Sequence, residues 1–256
     1  MSGLPYLRAG SGSVMVLVHG YLGGAAQWTN EIEAFSKDFD VVAPNLPGFG
    51  TAGHLDGCDT ITGMALAVLE LLDQLEVAEF ILMGHSMGGM IAQEMAAIRP
   101  DSVQKLVLYG TGPLGLMPDR FEPITVSRER LQSDGVAKTI ARIGATWFKA
   151  EKAAAGYPVL TEIGAQASPQ AALAALGAMA SWDGRKALAG LTMPTLVIWG
   201  DSDKSYRWPQ VESLWTNIPE VQLSVVPGTA HAVHLEKPTL FHSIVSDFLQ
   251  ATDATI

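Results

Sequence analysis

Phe80-Ile81-Leu82-Met83-Gly84-His85-Ser86-Met87-Gly88-Gly89-Met90-Ile91-Ala92-Gln93-Glu94-Met95-Ala96-Ala97-Ile98 joins an apolar run, a glycine-rich turn and a helical pattern without a break. Phe80 to Met83 is short and continuously apolar, which suits a strand buried on both faces. Gly88 to Ile98 reads as a helix, stopped by Arg99-Pro100. Between them, Gly84-x-Ser86-x-Gly88 puts one serine on a sharp strand-to-helix turn, the arrangement that exposes a nucleophilic hydroxyl. Neighbours lacking a bulky Cβ let strand and helix approach while the serine tolerates a strained backbone. The helix start supplies free N–H groups and a positive dipole end beside any oxyanion that forms there.

Similar apolar runs recur on both sides: Val14 to Val18, Phe39 to Ala43, Lys105 to Tyr109, Thr195 to Trp199 and Val221 to Val226. Helical patterns connect several of them. Thr60 to Leu75 repeats apolar residues at helical spacing with Thr60 as a cap, and Leu240 to Leu249 does so near the end. Alternating strands and helices imply a parallel sheet with right-handed crossovers and helices on both faces. The alternation lapses over 112–194, where Ser127 to Leu131, Val136 to Trp147, Pro169 to Ala180 and Gly184 to Leu188 are helical and no strand stands out. Ser168-Pro169 reads as a cap and first helical residue. The expected architecture is an α/β core of residues 1–111 and 195–256, with 112–194 inserted before a later strand as a helical cap or lid. At 256 residues this is expected to be one overall domain.

Composition narrows the function. Apolar residues make up 48% of the chain, enough for a large core, and 16 Lys and Arg against 26 Asp and Glu give a formal charge of −10. That charge repels phosphate backbones and anionic membranes, so neither nucleic acid nor a membrane is an expected partner. Cys58 is the single cysteine, no apolar stretch is long enough to span a bilayer, and the start Met-Ser-Gly-Leu-Pro-Tyr-Leu-Arg lacks a basic leader and an apolar run. A cytoplasmic location, as monomer or homodimer, is the expectation. No His or Cys cluster has metal-ligand spacing and no glycine-rich turn has a nucleotide signature, so no metal or cofactor is expected.

A serine hydroxyl becomes a useful nucleophile when a base removes its proton and a third group orients that base. Both types of residue lie just beyond later strands: Gly200-Asp201-Ser202-Asp203 after Thr195 to Trp199, and Pro227-Gly228-Thr229-Ala230-His231, with His234 close by, after Val221 to Val226. Open α/β sheets hold their ligands at such strand ends.

With these residues the chain resembles the α/β-hydrolase family, particularly its small bacterial serine hydrolases, over nearly its whole length. The resemblance rests on His19-Gly20, Asn45-Leu46-Pro47-Gly48-Phe49-Gly50, the turn around Ser86, Gly200-x-x-Asp203, and His231 ahead of Leu235-Glu236-Lys237-Pro238. It implies Ser86 as nucleophile. It favours Asp203 over Asp201 as the acid, because the family's acid commonly follows the strand-ending glycine by three residues. It favours His231 over His234 as the base, leaving His234 a rim or surface histidine. The oxyanion hole would be the backbone N–H groups of Met87 and Tyr21, with Leu22 an alternative to Tyr21. His19 and His85 would pack and brace the loops.

A serine at the turn sets the chain apart from dehalogenases and epoxide hydrolases of this fold, which use aspartate. A small-molecule ester or related carbonyl substrate is the main expectation. Alternatives are carbon–carbon bond cleavage of a vinylogous diketone, whose enzymes the His19 to Asn30 loop resembles, and a slow-turnover small-ligand receptor. Phe121, Trp147 and Trp182 in the insertion, with Trp28 and Tyr206 near the catalytic loops, are candidate pocket residues. Lys204 and Arg207 are candidates for binding a carboxylate. Asn45, where the family often has aspartate, is expected to affect loop hydrogen bonding.

Overall fold

The computed structural model describes residues 3–118 and 120–251. Seven strands run β1 (Tyr6–Ala9), β2 (Val14–Val18), β3 (Asp40–Pro44), β4 (Phe80–His85), β5 (Val103–Tyr109), β6 (Thr195–Gly200) and β7 (Val221–Val226). They form one sheet in the order β1-β3-β2-β4-β5-β6-β7, in which β1 is antiparallel to β3 and every other pairing is parallel. The helices are α1 (Thr29–Phe35), α2 (Ile61–Gln74), α3 (Met87–Ile98), α4 (Ile124–Ala145), α5 (Tyr157–Gly164), α6 (Pro169–Ser181), α7 (Trp208–Asn217), α8 (Val233–Glu236) and α9 (Pro238–Gln250).

Two apolar layers sandwich the sheet, and alternate residues of a strand feed opposite layers. Met15 and Leu17 of β2 pack with Trp28, Phe35, Phe241, Val245 and Phe248 on the side of α1 and α9. Val16 and Val18 pack with Leu69, Met90, Ile91 and Met95 on the side of α2 and α3. That second layer also takes in Ile140, Ile143, Trp147 and Leu176 of the insertion, so the insertion shares the core's apolar interior. Five of the six expected strands are buried along most of their length. The sixth, β7, lies at the sheet edge and is only partly buried, because no strand covers its outer side.

The strand order places the site. From β2 the chain moves outward to β3, then returns across β2 to form β4 on its other side, so the direction of winding reverses at the β2/β4 boundary. A crevice opens beyond the carboxyl ends of strands at such a reversal. The loops that leave there are His19-Gly20-Tyr21 from β2 and the Ser86 turn from β4.

The insertion between β5 and β6 is helical, and among the described residues its one β-bridge pairs Leu114 with Asp183 near its two ends. Its two expected helices, Ser127 to Leu131 and Val136 to Trp147, are the halves of α4, broken at Gly135, whose φ of 76° interrupts the helix. Ser168 caps α6, accepting from the Ala171 N–H at 3.0 Å, and Thr60 caps α2 through the Gly63 N–H at 3.0 Å. The insertion lies over the loops at the carboxyl edge: a Cβ on Gly48 would strike Ala171, and one on Gly164 would meet the Leu22 carbonyl.

Candidate active site

Ser86 sits at φ 58° and ψ −120°, a backbone conformation that side chains other than glycine's rarely adopt. Its neighbours fix it there. Its N–H donates to the Tyr109 carbonyl at 2.9 Å, and its carbonyl accepts from the Thr111 hydroxyl at 2.7 Å. A Cβ on Gly88 would lie 2.2 Å from the Val18 carbonyl oxygen, and one on Gly84 would lie 2.2 Å from that of Gly88. Glycine at both positions therefore lets α3 start hard against β2 and β4, which turns Ser86 outward.

The base and acid candidates meet through side chains. His231 Nδ1 donates to Asp203 Oδ2 at 2.8 Å, and both residues are buried. The other oxygen, Asp203 Oδ1, accepts the N–H groups of Ser205 at 2.6 Å and Tyr206 at 3.2 Å, so the carboxylate is fixed by the turn that carries it. Asp201 is exposed, and its Oδ1 accepts from the Gly228 N–H at 2.8 Å and from Ser202. It braces the neighbouring turn and does not reach His231. The His231 carbonyl accepts from the Tyr109 hydroxyl at 2.8 Å and from His85 Nε2 at 3.2 Å. Glu236 holds the same loop, its carboxylate accepting from the N–H groups of Ala230 at 2.6 Å and Lys149 at 2.8 Å.

Ser86 and His231 line one cavity, together with Tyr21, Phe121, Trp147 and Tyr206. Tyr206 stacks on His231 with ring centroids 5.7 Å apart. Burial pushes the Tyr206 hydroxyl up to about 12, while the nearby Ser86 and Thr111 hydroxyls draw it back, so it stays protonated as a donor. Among the described residues, neither the Met87 nor the Tyr21 N–H donates to a protein acceptor. The Leu22 N–H is equally free, but Leu22 does not line the cavity and its carbonyl faces Gly164. Gly20 lies directly against the serine, a Cβ there meeting Ser86 Cβ at 2.9 Å, and Tyr21, the next residue, lines the same cavity.

A model of the alpha/beta hydrolase fold matches residues 13–142, half of the chain. The chain belongs to the α/β-hydrolase family. Related proteins align over almost all of it. It is 26% identical to "Putative carbamate hydrolase RutD" of Pseudomonas savastanoi pv. phaseolicola, over 93% of this chain and 94% of that protein. It is 28% identical to the pimeloyl-(acyl-carrier protein) methyl ester esterase of Vibrio parahaemolyticus, over 94% and 96%. Among solved structures, a thermophilic esterase from Thermogutta terrifontis superposes with a TM-score of 0.87 at 26% identity, covering 96% of this chain and 92% of that one.

Within this hydrolase frame three sequence expectations need correction. Trp28 does not line the cavity. It is buried in the opposite apolar layer, its ring 5.1 Å from that of His234, because the chain turns under the sheet immediately after the Tyr21 loop. Trp182 does not line it either, since its indole N–H is drawn to Glu94 Oε2 at 3.1 Å, on α3. His234 is fully buried and not at a rim. Tyr109 gives its proton to the His231 carbonyl and so accepts from His234 Nδ1 at 3.0 Å. Lys204 and Arg207 are exposed, Lys204 facing Glu151 at 3.6 Å. Asn45 does act through loop hydrogen bonds, accepting from the Ala25 N–H at 2.9 Å and donating to Thr51 at 3.0 Å. Sequence reasoning passed over Arg120, Ser205 and Met179, which also line the cavity. Among the described residues no group of three or more His, Cys, Asp or Glu is placed to hold a metal, and no helix is long and apolar enough to cross a membrane.

Burial keeps the bracing histidines neutral. His19 Nε2 accepts from the Leu46 N–H at 2.9 Å while its Nδ1 donates to the Gly20 carbonyl at 2.8 Å, and burial lowers its pKa to about 4. Burial lowers His234 to about 4 as well and takes His85 well below its ordinary value. Between pH 6.5 and 4 the unfolded chain therefore binds protons that these folded histidines refuse, so their contribution to stability falls as pH falls across that window and is constant above it. The loss from His19 and His234 is about 3 kcal/mol each on this reckoning. Asp183, lowered to about 2 by Arg185, is exposed and acts only below this range. Urea midpoints should drop sharply from pH 7.5 to pH 4.5, and H234Q should lessen the drop. Equal midpoints at the two pH values would refute the neutral-histidine account.

Proposed function

We propose that this chain is a serine hydrolase of small-molecule esters or related acyl compounds, working through Ser86, His231 and Asp203 and an acyl-enzyme. The observation that carries the reading is the shared cavity of Ser86 and His231, with Asp203 bonded to the far side of the imidazole. The Nδ1–H bond to Asp203 leaves Nε2 free to accept the Ser86 proton as its oxygen attacks the carbonyl carbon. Charge then gathers on the carbonyl oxygen, where the Met87 and Tyr21 N–H groups act as donors. Collapse breaks the bond to the leaving oxygen, which takes the proton back from Nε2. Water, deprotonated by the same imidazole, attacks the acyl carbon and releases the acid and Ser86. The names of the relatives, a methyl ester esterase and a carbamate hydrolase, support acyl transfer to water as the reaction class.

The test is labelling with a fluorophosphonate, followed by peptide mapping and an aryl ester assay. A single adduct on Ser86, with label and turnover lost together, is expected. An adduct elsewhere, or none, overturns the reading. One burst of product followed by lasting modification would instead favour a small-ligand receptor on the same fold.

A further inference from the structure

Three buried polar atoms in the lining of the Ser86 cavity have no partner among the described residues: Arg120 Nη1, Tyr21 Oη and Ser205 Oγ. Arg120 comes from the segment that leads into α4, and its guanidinium lies 5.6 Å from the Phe121 ring centroid. Among the described residues the cavity lining contains no carboxylate. Glu122, two positions after Arg120, is already engaged, accepting from Ser127 at 2.8 Å, Arg142 at 2.9 Å and Arg130 at 2.5 Å. A guanidinium is therefore turned into a largely apolar space with donors unused, in a chain whose net charge is −10.

Leaving the buried end of a partly buried cation unpaired is costly, and two unmatched hydroxyls in the same cavity lining add to the cost. A planar anion would satisfy all three groups. Carboxylate geometry matches the guanidinium fork, and hydroxyls can donate to its remaining lone pairs. Ser86 and His231 occupy the same cavity, so an anion held at Arg120 belongs to a molecule whose reacting carbonyl is at Ser86.

Resting on the serine-hydrolase reading above, we infer that the substrate carries a non-reacting carboxylate and that Arg120, Tyr21 and Ser205 form its binding subsite. The substrate class is thus an ester or lactone of a dicarboxylic acid, with one carboxyl group free. Arg120 sets specificity through binding and takes no part in proton transfer.

Two aryl esters of similar length separate the possibilities: p-nitrophenyl butyrate, which is neutral, and mono-p-nitrophenyl glutarate, which carries a free carboxylate. The wild-type enzyme should prefer the glutarate. R120M should lower kcat/KM for the glutarate by about 100-fold, mainly through KM, and leave the butyrate within about threefold. R120K should recover part of the loss, because it restores charge without the fork. Equal losses on both esters, or wild-type preference for the butyrate, would overturn the subsite. If the wild type hydrolyses neither ester, the serine-hydrolase reading falls, and calorimetry with glutarate then decides the subsite alone. Glutarate binding abolished in R120M retains the subsite, whereas binding unchanged in R120M, or absent in the wild type, removes it.

Discussion

Ser86→Ala should remove turnover of aryl esters, lowering kcat by about 10⁶-fold, because the covalent step has no substitute once the hydroxyl is gone. The fold should hardly register the change. Ser86 makes its fixed bonds through its backbone, to Tyr109 and Thr111, and its side chain does not cap α3. Alanine keeps the same unfavourable φ of 58°, so stability should stay within about 1 kcal/mol of the parent. Ser86→Gly adds a second reading of the same site. Glycine adopts this conformation without steric cost, so the variant should be equally inactive yet more stable by about 1 kcal/mol. Melting curves recorded beside the esterase assay check both halves. Full activity in the alanine variant would remove Ser86 from the chemistry, and a destabilised glycine variant would remove the strain argument.

The parts of the molecule that showed in the sequence are those where local pattern and tertiary environment agree. Buried central strands such as β4 have apolar runs, Ser168 and Thr60 sit where helices need caps, and the glycines around Ser86 answer backbone approaches of 2.2 Å. Elements at the margin were silent. β1 has Tyr6, Leu7 and Arg8 exposed on a sheet edge, so no apolar run marks it. Its Arg8 pairs with Asp40 on β3, a contact that no spacing announces. α1 is short, with Glu31 and Glu33 in it, and α5 begins at Tyr157-Pro158 inside a stretch with little periodicity.

The pocket was harder to read because sequence neighbours separate across the sheet. Tyr21 and Trp28 are seven positions apart, yet one faces the cavity and the other the opposite apolar layer. Arg120 gave no signal at all, since a single arginine in an irregular segment looks solvated until packing closes over it. His234 misled in the reverse direction, being three residues from His231 but sealed behind it by Tyr109.

Asp203→Asn tests how the acid acts, and it should cost about 10⁴-fold in kcat with little change in fold. Asp203 Oδ1 accepts two backbone N–H groups, from Ser205 and Tyr206, and this pair sets the orientation of whatever replaces the carboxylate. The asparagine oxygen must take that place, since an amide NH₂ facing two N–H donors would leave all of them unpaired. The NH₂ group is then directed at His231 Nδ1, 2.8 Å from the atom it replaces. Two donors cannot share one bond, so Nδ1 must become the acceptor and the imidazole proton moves to Nε2. In that tautomer Nε2 has no lone pair for the Ser86 proton, and the base is disabled while every heavy atom stays in place. Asp201→Asn has no such consequence, because Asp201 is exposed and serves only the turn at Gly228. Its kcat should remain within about threefold of the parent. Paired kinetics on the two variants decide the matter, and a severe loss in Asp201→Asn with Asp203→Asn spared would reverse the assignment of the acid.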